Sequence, residues 1–483
     1  MLASFLIGVI VIIQLNQTYF DEINKEKIDE LLSLVEPYFA HRIKLYDRYR
    51  RKSTINEFMK SQNDGVLLAF EHLIVNEAKG YLAGKEPVYS FVERKEDKDK
   101  EYQSTITDIR NYNDDASIFS ELMHDYLTTG AAYLYLSENA NNVIKYIRMD
   151  SRNTVVVYDY SADPNIIAMV RLWEESTTDG KKEKRIEITT AEYKRIYDKA
   201  GTLHKFTDFV EGVLQPTTKK EIYWGQVPIT AFEHVDGIAV FEPSLGLIDA
   251  YEQMLMNIKN MTQYNDDGAK LVLKNMRASQ FDRHQRNPET GEVEDNPEFQ
   301  REENNLLRSR TIEVMDGGDV KWLEKPIQYE GSLAFLTKLE ELIFMMASVP
   351  NMADRQFAGN ASGISLKYKL YALDQLFTAT CRIFKKGYGR HWDIVTDRIN
   401  LRKDTAYNSS DIIINFNTNA PDDKKEDMDR AVAAHRAALL SHETCISISG
   451  VEIDPAQEME RIQQEMAVEL ETKTTEPPIE EAE

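Results

Sequence analysis

Cysteine is nearly missing: Cys381 and Cys445 are the only two in 483 residues. Two thiols cannot build a disulfide framework, and no C-x-x-C pair is present for zinc or redox exchange. That points to a reducing compartment. The common catalytic signatures are missing as well. There is no G-x-x-x-x-G-K-[ST], so no phosphate-cradling loop of a motor ATPase, and there is no H-E-x-x-H and no G-x-S-x-G. Cations are scarce: 58 Lys and Arg against 81 Asp and Glu leave a net charge of −23. Non-specific nucleic-acid binding is driven by Lys and Arg displacing counterions, and this balance opposes it. The apolar run Leu2 to Ile13 is too short for a membrane span, which needs about twenty residues. A secretory leader can be that short, but it starts basic, and the first lysine here is Lys25. The run reads as a buried strand or helix, or as an over-read start of the reading frame.

Residues able to do chemistry fall in bland patterns. Asp114-Asp115, Asp266-Asp267 and Asp422-Asp423 are sequence neighbours. Neighbours on a helix point apart, so these read as caps or solvated acids rather than acid/base pairs. His442-Glu-Thr-Cys445 with His435 comes nearest to a metal cluster and reads as ordinary helix and turn residues. Gly359-Asn-Ala-Ser-Gly363 opens a helix, where an anion could bind, but it lacks the lysine that would reach phosphates. No catalytic residue, cofactor or metal ligand is assigned.

What is present is enough for about two to four domains by length, with 42% hydrophobic residues to build their cores. Lys25 to Lys52 has a helical period, with Ile28, Leu31, Leu32 and Val35 on one face and an interruption at Pro37. Val66 to Leu82 is a second helix, Glu93 to Lys100 a charged loop, and 101–112 and 115–129 two more helices. From Gly130 to about Phe232 the period becomes two. Ala132–Leu136, Val143–Met149, Thr154–Tyr158, Ile166–Trp173, Arg185–Thr189 and Tyr193–Tyr197 are predicted strands. Short turns between them imply antiparallel pairing. A helix runs from Glu242 to about Asn265, then a strand over Gly268–Lys274, then a polar, mobile loop over Ala278–Asn305. Thr311–Met315 and Val320–Leu323 read as a hairpin around Asp316-Gly-Gly-Asp319. Gly331–Ala347 is helical, and Asp411–Phe416 is a strand. Asp422–Glu471 is helical and acidic, with a break around Ser447–Pro455 and Met428, Val432, Leu439 and Leu440 as its inner face. The order of helical front and meandering sheet gives an α+β class.

The chain is organised around 350–401. A loop rich in Asn, Gly and Ala leads, past Ser362 as its predicted cap, into one long helix. Leu366, Leu370, Leu373, Phe377, Cys381, Phe384, Tyr388, Trp392, Val395 and Ile399 recur at three- and four-residue steps. Gly387 and Gly389 predict a kink. The other faces carry Lys367, Lys369, Arg382, Lys385 and Lys386, then Arg390, Arg398, Arg402 and Lys403, which call for an acidic neighbour or an anionic ligand.

The run Phe357-Ala-Gly-Asn-Ala-Ser-Gly-Ile-Ser-Leu366, continued to Leu373, resembles the signature of tailed-bacteriophage portal proteins of the siphophage type. Weaker similarities agree in order: Val75 to Val88, Pro228-Ile-Thr-Ala-Phe232 and Leu247-Ile-Asp-Ala-Tyr251. The resemblance implies the portal fold: 1–242 a wing, 243–266 a first stem helix, 267–330 a small α/β clip, 331–349 a second stem helix. It further implies a tunnel loop at 350–361, the long central helix at 362–402, a helical crown at 403–471 and a disordered tail at 472–483. It implies a non-enzymatic ring of about twelve subunits through which double-stranded DNA enters and leaves a phage head. Acidic walls suit such a channel, because they repel phosphate. Implied partners are the terminase large subunit, a head-completion adaptor, and the major capsid and scaffolding proteins, with no membrane. The implied DNA-facing residues are Asn351, Asp354, Arg355, Gln356, Phe357, Gly359 and Asn360. The basic face of the central helix is Lys367, Lys369, Arg382, Lys385 and Lys386, and the clip's partner surface is Arg308, Arg310, Lys321 and Trp322. Two other classes compete: a phage or prophage enzyme, and a scaffold anchored in a membrane through residues 2–13.

The over-read start makes the first testable prediction. The mature protein begins near Gln14, and an intact Met1 peptide by mass spectrometry would refute it.

Overall fold

Apolar residues at three- and four-residue steps fold the front of the chain into α1 (Lys25–Tyr49), α2 (Phe70–Leu82), α3 (Asp97–Asn113) and α4 (Asp115–Thr129). The structure is a computed structural model that describes residues 12–50, 68–92, 97–139, 141–176, 180–210, 213–267, 270–274, 282–286, 293–308, 319–323, 329–351, 363–419, 424–448, 458–459, 461–462 and 464. Helix α1 runs unbroken through Pro37, against expectation. A proline inside a helix costs about 3 kcal/mol through its missing N–H and its ring clash. Leu31, Leu32, Val35 and Phe39 flank it and are all buried. At about 1.5–3 kcal/mol each, their packing outweighs the proline. Helix α3 also starts earlier than expected, at Asp97, inside the charged stretch.

The chain forms two compact units. One comprises Met1–Tyr46, Leu73–Val240 and Ser348–Glu483, the other Asp47–His72 and Phe241–Ala347. In the first unit the period-two region becomes strands: β1 (Val88–Phe91), β2 (Ala131–Glu138), β3 (Ile144–Met149), β4 (Thr154–Tyr158), β5 (Ile166–Ser176), β6 (Lys182–Thr189) and β7 (Tyr193–Asp198). After these come β8 (Phe206–Val210), β9 (Val213–Thr217), β10 (Lys219–Glu221) and β11 (Ile229–Glu233). All pairings among them are antiparallel, as the short turns require. They do not form one meander. One sheet has the order β10-β7-β6-β5-β4, a second the order β11-β2-β3, and β8-β9 is a hairpin that the sequence pattern did not show. Period two explains the layering. Val155 and Val157 point to one face and join a core with Ile28, Leu31, Val35 and Phe39 of α1. Val156 and Met169 point to the other and meet Tyr133, Met149 and Ile229 of the second sheet. Ile13 and Leu15 are buried in the first of these cores, and Gln14 bridges Tyr158 in parallel, so the end of the apolar run is a buried extended segment. Residues 1–11 lie outside the described residues.

One buried ion pair ties these layers together. Arg42 of α1 donates to the carbonyls of Ser151 and Thr154, each at 3.1 Å, and meets Glu233 of β11 at 3.4 Å. Tyr133 and Tyr158 donate to the same carboxylate. Burial, then the charge of Glu233, hold the Tyr158 hydroxyl well above its ordinary pKa, so it stays a donor.

The second unit has α5 (Leu245–Asp267), the antiparallel pair of β12 (Lys270–Lys274) with a later strand, a hairpin of β13 (His284–Arg286) and β14 (Val293–Asp295), α6 (Pro297–Arg308), β15 (Asp319–Leu323) and α7 (Tyr329–Met346). The polar stretch 278–305, expected as a mobile loop, therefore contains a hairpin and most of a helix. Its polar composition hid two local signals, a proline at the first helical position and Asn296 before it. The Asn296 side chain accepts from the Glu298 N–H at 3.0 Å. The partner of β15 is β12, with Lys321 opposite Val272 and Trp322 opposite Leu271. Thr311–Met315, expected to pair with it, lies outside the described residues. The start of α5 is held to α7 by Ser244, whose hydroxyl donates to the Ile343 carbonyl at 2.8 Å.

In the first unit, α8 (Gly363–Lys403) is 41 residues long. β16 (Ile412–Asn415) then pairs with β1, and α9 (Lys424–Arg436) and α10 (His442–Ile448) follow. The acidic helical region has a further break that the sequence did not predict, between α9 and α10, where Ala438 has φ of 50°; the expected break at Ser447–Pro455 lies mostly outside the described residues. Met428, Val432, Leu439 and Leu440 are exposed rather than inward, Leu439 by 77%; Ala431 and Cys445 are the buried ones. α8 is continuous through Gly387 and Gly389. A Cβ at Gly387 would stand 2.4 Å from Cε1 of Phe232, whereas one at Gly389 would meet nothing within 4 Å.

The two glycines therefore respond in opposite directions. Gly387→Ala lowers unfolding free energy by about 1–3 kcal/mol through overpacking, although alanine is the better helix former by ~1 kcal/mol. Gly389→Ala raises it by up to ~1 kcal/mol. Urea midpoints that move the same way for both would contradict the close approach of Phe232.

Candidate functional site

The candidate site is α8 with the loop before it, and what α8 presents is decided by what it buries. Phe384 stacks on Phe232 of β11 with ring centroids 4.7 Å apart, and meets Phe119 and Tyr126 of α4 edge-on at 5.8 and 5.5 Å. Tyr388, Trp392, Val395 and Ile399 continue the buried line, as their spacing predicts. His391 shares that face and is fully buried. Its ring packs edge-on against Tyr146 at 4.6 Å and Trp392 at 5.0 Å, and neither nitrogen has a hydrogen-bond partner among the described residues. Burial disfavours the imidazolium and pushes the His391 pKa down to about 3. Cys381, half-buried beside this core, has its thiol pushed up to about 12 by burial, which makes it inert as a nucleophile.

The basic residues of α8 divide into two sets. Towards its C-terminus they are used inside the subunit. Arg390 donates to the carbonyls of Ile229 and Val227 and to the side chain of Gln226. Arg398 grips Glu138 with both forks, at 2.5 and 2.9 Å, Arg402 joins the same carboxylate at 2.6 Å, and Lys403 pairs with Glu101 at 3.0 Å. These are the acidic neighbours the sequence called for. Arg382, Lys385 and Lys386 differ: all three are exposed and have no polar partner among the described residues. Lys369 is half-buried and, at 100° per residue, lies about 160° around the helix from Lys385. Lys367 falls in register with Lys385. Of the loop, Asn351 is half-buried, while Asp354, Arg355, Gln356, Phe357, Gly359, Asn360 and the Ser362 cap lie outside the described residues. In the second unit Arg308 ends α6, Lys321 and Trp322 sit on β15, and Arg310 lies outside the described residues. His435 and His442 stack at 4.4 Å, but among the described residues no group of three or more His, Cys, Asp or Glu is placed to hold a metal.

Sequence reasoning missed His391 and the Arg42–Glu233 pair. A histidine at core spacing looks like any core residue, and the pair spans 191 positions. It also passed over Tyr368 and Tyr371, which are 79% and 62% exposed on α8.

The family model for phage portal proteins of the SPP1 Gp6-like type matches residues 20–471. The chain belongs to that family. The portal protein of Bacillus phage SPP1 is 22% identical to it over 416 residues, covering 82% of this chain and 75% of the relative. Among solved structures, a chain in the neck of an empty gene transfer agent particle is similar at 14% identity and a TM-score of 0.42, over 80% of this portal chain and 90% of that one. A chain in the virion of a native gene transfer agent has 12% identity and a TM-score of 0.35, over 79% and 88%. This portal protein is thus a structural component of a phage virion, at the head-to-tail connector. No helix among the described residues is long and apolar enough to cross a membrane.

The buried imidazole gives the portal chain an acid liability. Unfolded, His391 takes up a proton below its ordinary pKa of about 6.5; folded, it does so only near 3. Its pKa is lowered by folding, so stability falls as pH drops through that window. Between pH 7 and 5 the loss from this residue is about 2 kcal/mol. In His391→Phe that increment disappears from urea titrations at the two pH values. Identical pH dependence in both chains would show that the ring is solvated.

Proposed function

We propose that the chain forms a closed ring of about twelve copies, through which double-stranded DNA enters the phage head during packaging and leaves it on ejection. The observation that carries this is the portal family match over residues 20–471, nearly the whole chain. The ring supplies the conduit and a separate terminase supplies the ATPase. Residues 1–242 act as the wing, 243–266 and 331–349 as the stem, 267–330 as the clip and 403–471 as the crown. The clip, with Arg308, Arg310, Lys321 and Trp322, docks the terminase large subunit and later a head-completion adaptor, while the capsid and scaffolding proteins surround the ring.

Two physical features support this reading. Leu333, Phe335, Met345 and Met346 are exposed on α7, and Met428, Val432, Leu439 and Leu440 are exposed in the C-terminal region. Phe335 and Met346 fall on one side of α7, eleven positions apart, and an exposed apolar side of this kind is one that assembly can cover. The net charge of −23 supports passage rather than capture of DNA. In the tunnel loop, Asn351, Arg355, Gln356, Phe357 and Asn360 stand nearest DNA, Arg355 attracting phosphate and Asp354 repelling it.

Gly359→Pro, or deletion of the loop, blocks DNA packaging while ring assembly by native mass spectrometry is unchanged. Mutant procapsids that fill with DNA at the normal rate would remove the loop from the mechanism.

A further inference from the structure

Two faces of the first unit point away from each other and carry opposite charge. Their directions follow from the contact between Phe119 of α4 and Phe384 of α8. On α8, Arg382 and Lys386 each stand two positions from Phe384, about 200° around the helix, and Lys385 stands about 100° away. On α4, Ser117 and Glu121 each stand two positions from Phe119, again about 200° away. The outward face of α8 is a long exposed stripe of Tyr368, Tyr371, Arg382, Lys385, Lys386 and Gly389, with one exposed carboxylate, Asp393, a turn beyond the glycine. Its three cations have no polar partner among the described residues. The glycine would tolerate a close approach, since a Cβ there meets open space. The outward side of α4 borders a groove of ≈ 500 Å³, lined by small residues including Gly84, Ala116, Ser117 and Ser120 and carrying the carboxylates of Glu86 and Glu121. Glu86 is exposed. Glu121 is half-exposed and touches Arg148 at 3.3 Å, but Arg148 is held more closely by Asp125, at 2.6 Å.

We infer that the groove beside α4 receives the Arg382–Lys386 stripe of α8 from a second copy of this chain. Complementary patches on opposite sides of one body make a head-to-tail contact, and such contacts repeat until they close a ring. The groove's small residues admit a helix, and its two carboxylates meet three cations that have no polar partner among the described residues. Tyrosine and arginine are enriched in interface cores, because each combines a large contact area with polar ends. Duplex DNA is the competing occupant of a stripe of cations and tyrosines. The acidic groove and the overall charge of −23 favour a second copy. The inference rests on the ring reading and names the surfaces that make the ring.

Charge reversal on the full chain tests it, read by native mass spectrometry and end-on negative-stain images. Lys385→Glu with Lys386→Glu sets acid against acid at every contact, and Glu86→Lys with Glu121→Lys sets base against base. Each double variant lowers the ring fraction by about tenfold or more. All four substitutions in one chain restore opposite charges and return the ring fraction towards wild type. Unchanged urea midpoints show that each variant folds, because exposed pairs such as Glu121–Arg148 contribute little to stability. Wild-type rings together with intact rings in either double variant would overturn the inference while leaving the ring reading standing. So would a Lys385→Glu, Lys386→Glu variant that forms rings but no longer retains duplex DNA. A wild-type chain that forms no ring under any condition would overturn both.

Discussion

The structure depends on one close approach, that of the Phe232 ring to the backbone of α8 at Gly387. Glycine there lets β11 and the long helix come nearer than any side chain would permit. Phe232 then stacks on Phe384, and Phe119 and Tyr126 close around the pair. A helix in contact along so much of its length cannot turn about its axis. Once Phe384, Tyr388, Trp392 and Val395 face inward, Arg382, Lys385 and Lys386 must face outward. The chemistry that α8 offers is therefore set by its packing.

Two buried polar groups show the alternatives open to a side chain in that interior. Arg42 keeps its charge because Glu233 and two carbonyls replace its water. Such a pair costs desolvation on both sides, so its effect is to specify how α1 meets the two sheets more than to stabilise them. His391 has no such partner among the described residues and accommodates burial by staying neutral. The arginines near the end of α8 follow the first route, through Glu138 and the carbonyls of Val227 and Ile229.

Much of the fold was legible because its signals are local. Six predicted strands between Ala131 and Asp198 formed where the period of two placed them, and α8 matched its apolar line from Leu370 to Ile399. Errors arose where tertiary packing or composition competed with a local rule. Pro37 did not end α1, because buried neighbours on both sides outweigh its cost. Composition made 278–305 look like loop, although Asn296 and Pro297 mark a helix start. Met428, Val432, Leu439 and Leu440 have an inward-looking spacing, but spacing says only that residues share a face, not what the face meets. Of the candidate site, the identity and length of α8 were legible, whereas the split of its cations into paired and unpaired sets was not.

The sequence by itself determined the family, the order of helices and strands, the antiparallel hairpins and the acidic balance. Each of these is carried by motifs, periods or sums that need no knowledge of distant contacts. Tertiary structure alone decided that β4 and β11 lie in different sheets, that β1 pairs with β16, and that Arg398 meets Glu138 from 260 positions away. It also decided that Arg382, Lys385 and Lys386 remain outside while Arg390 turns in. The physical reason is that pairing over such separations depends on which apolar faces meet, a property of the assembled core and not of any window along the chain.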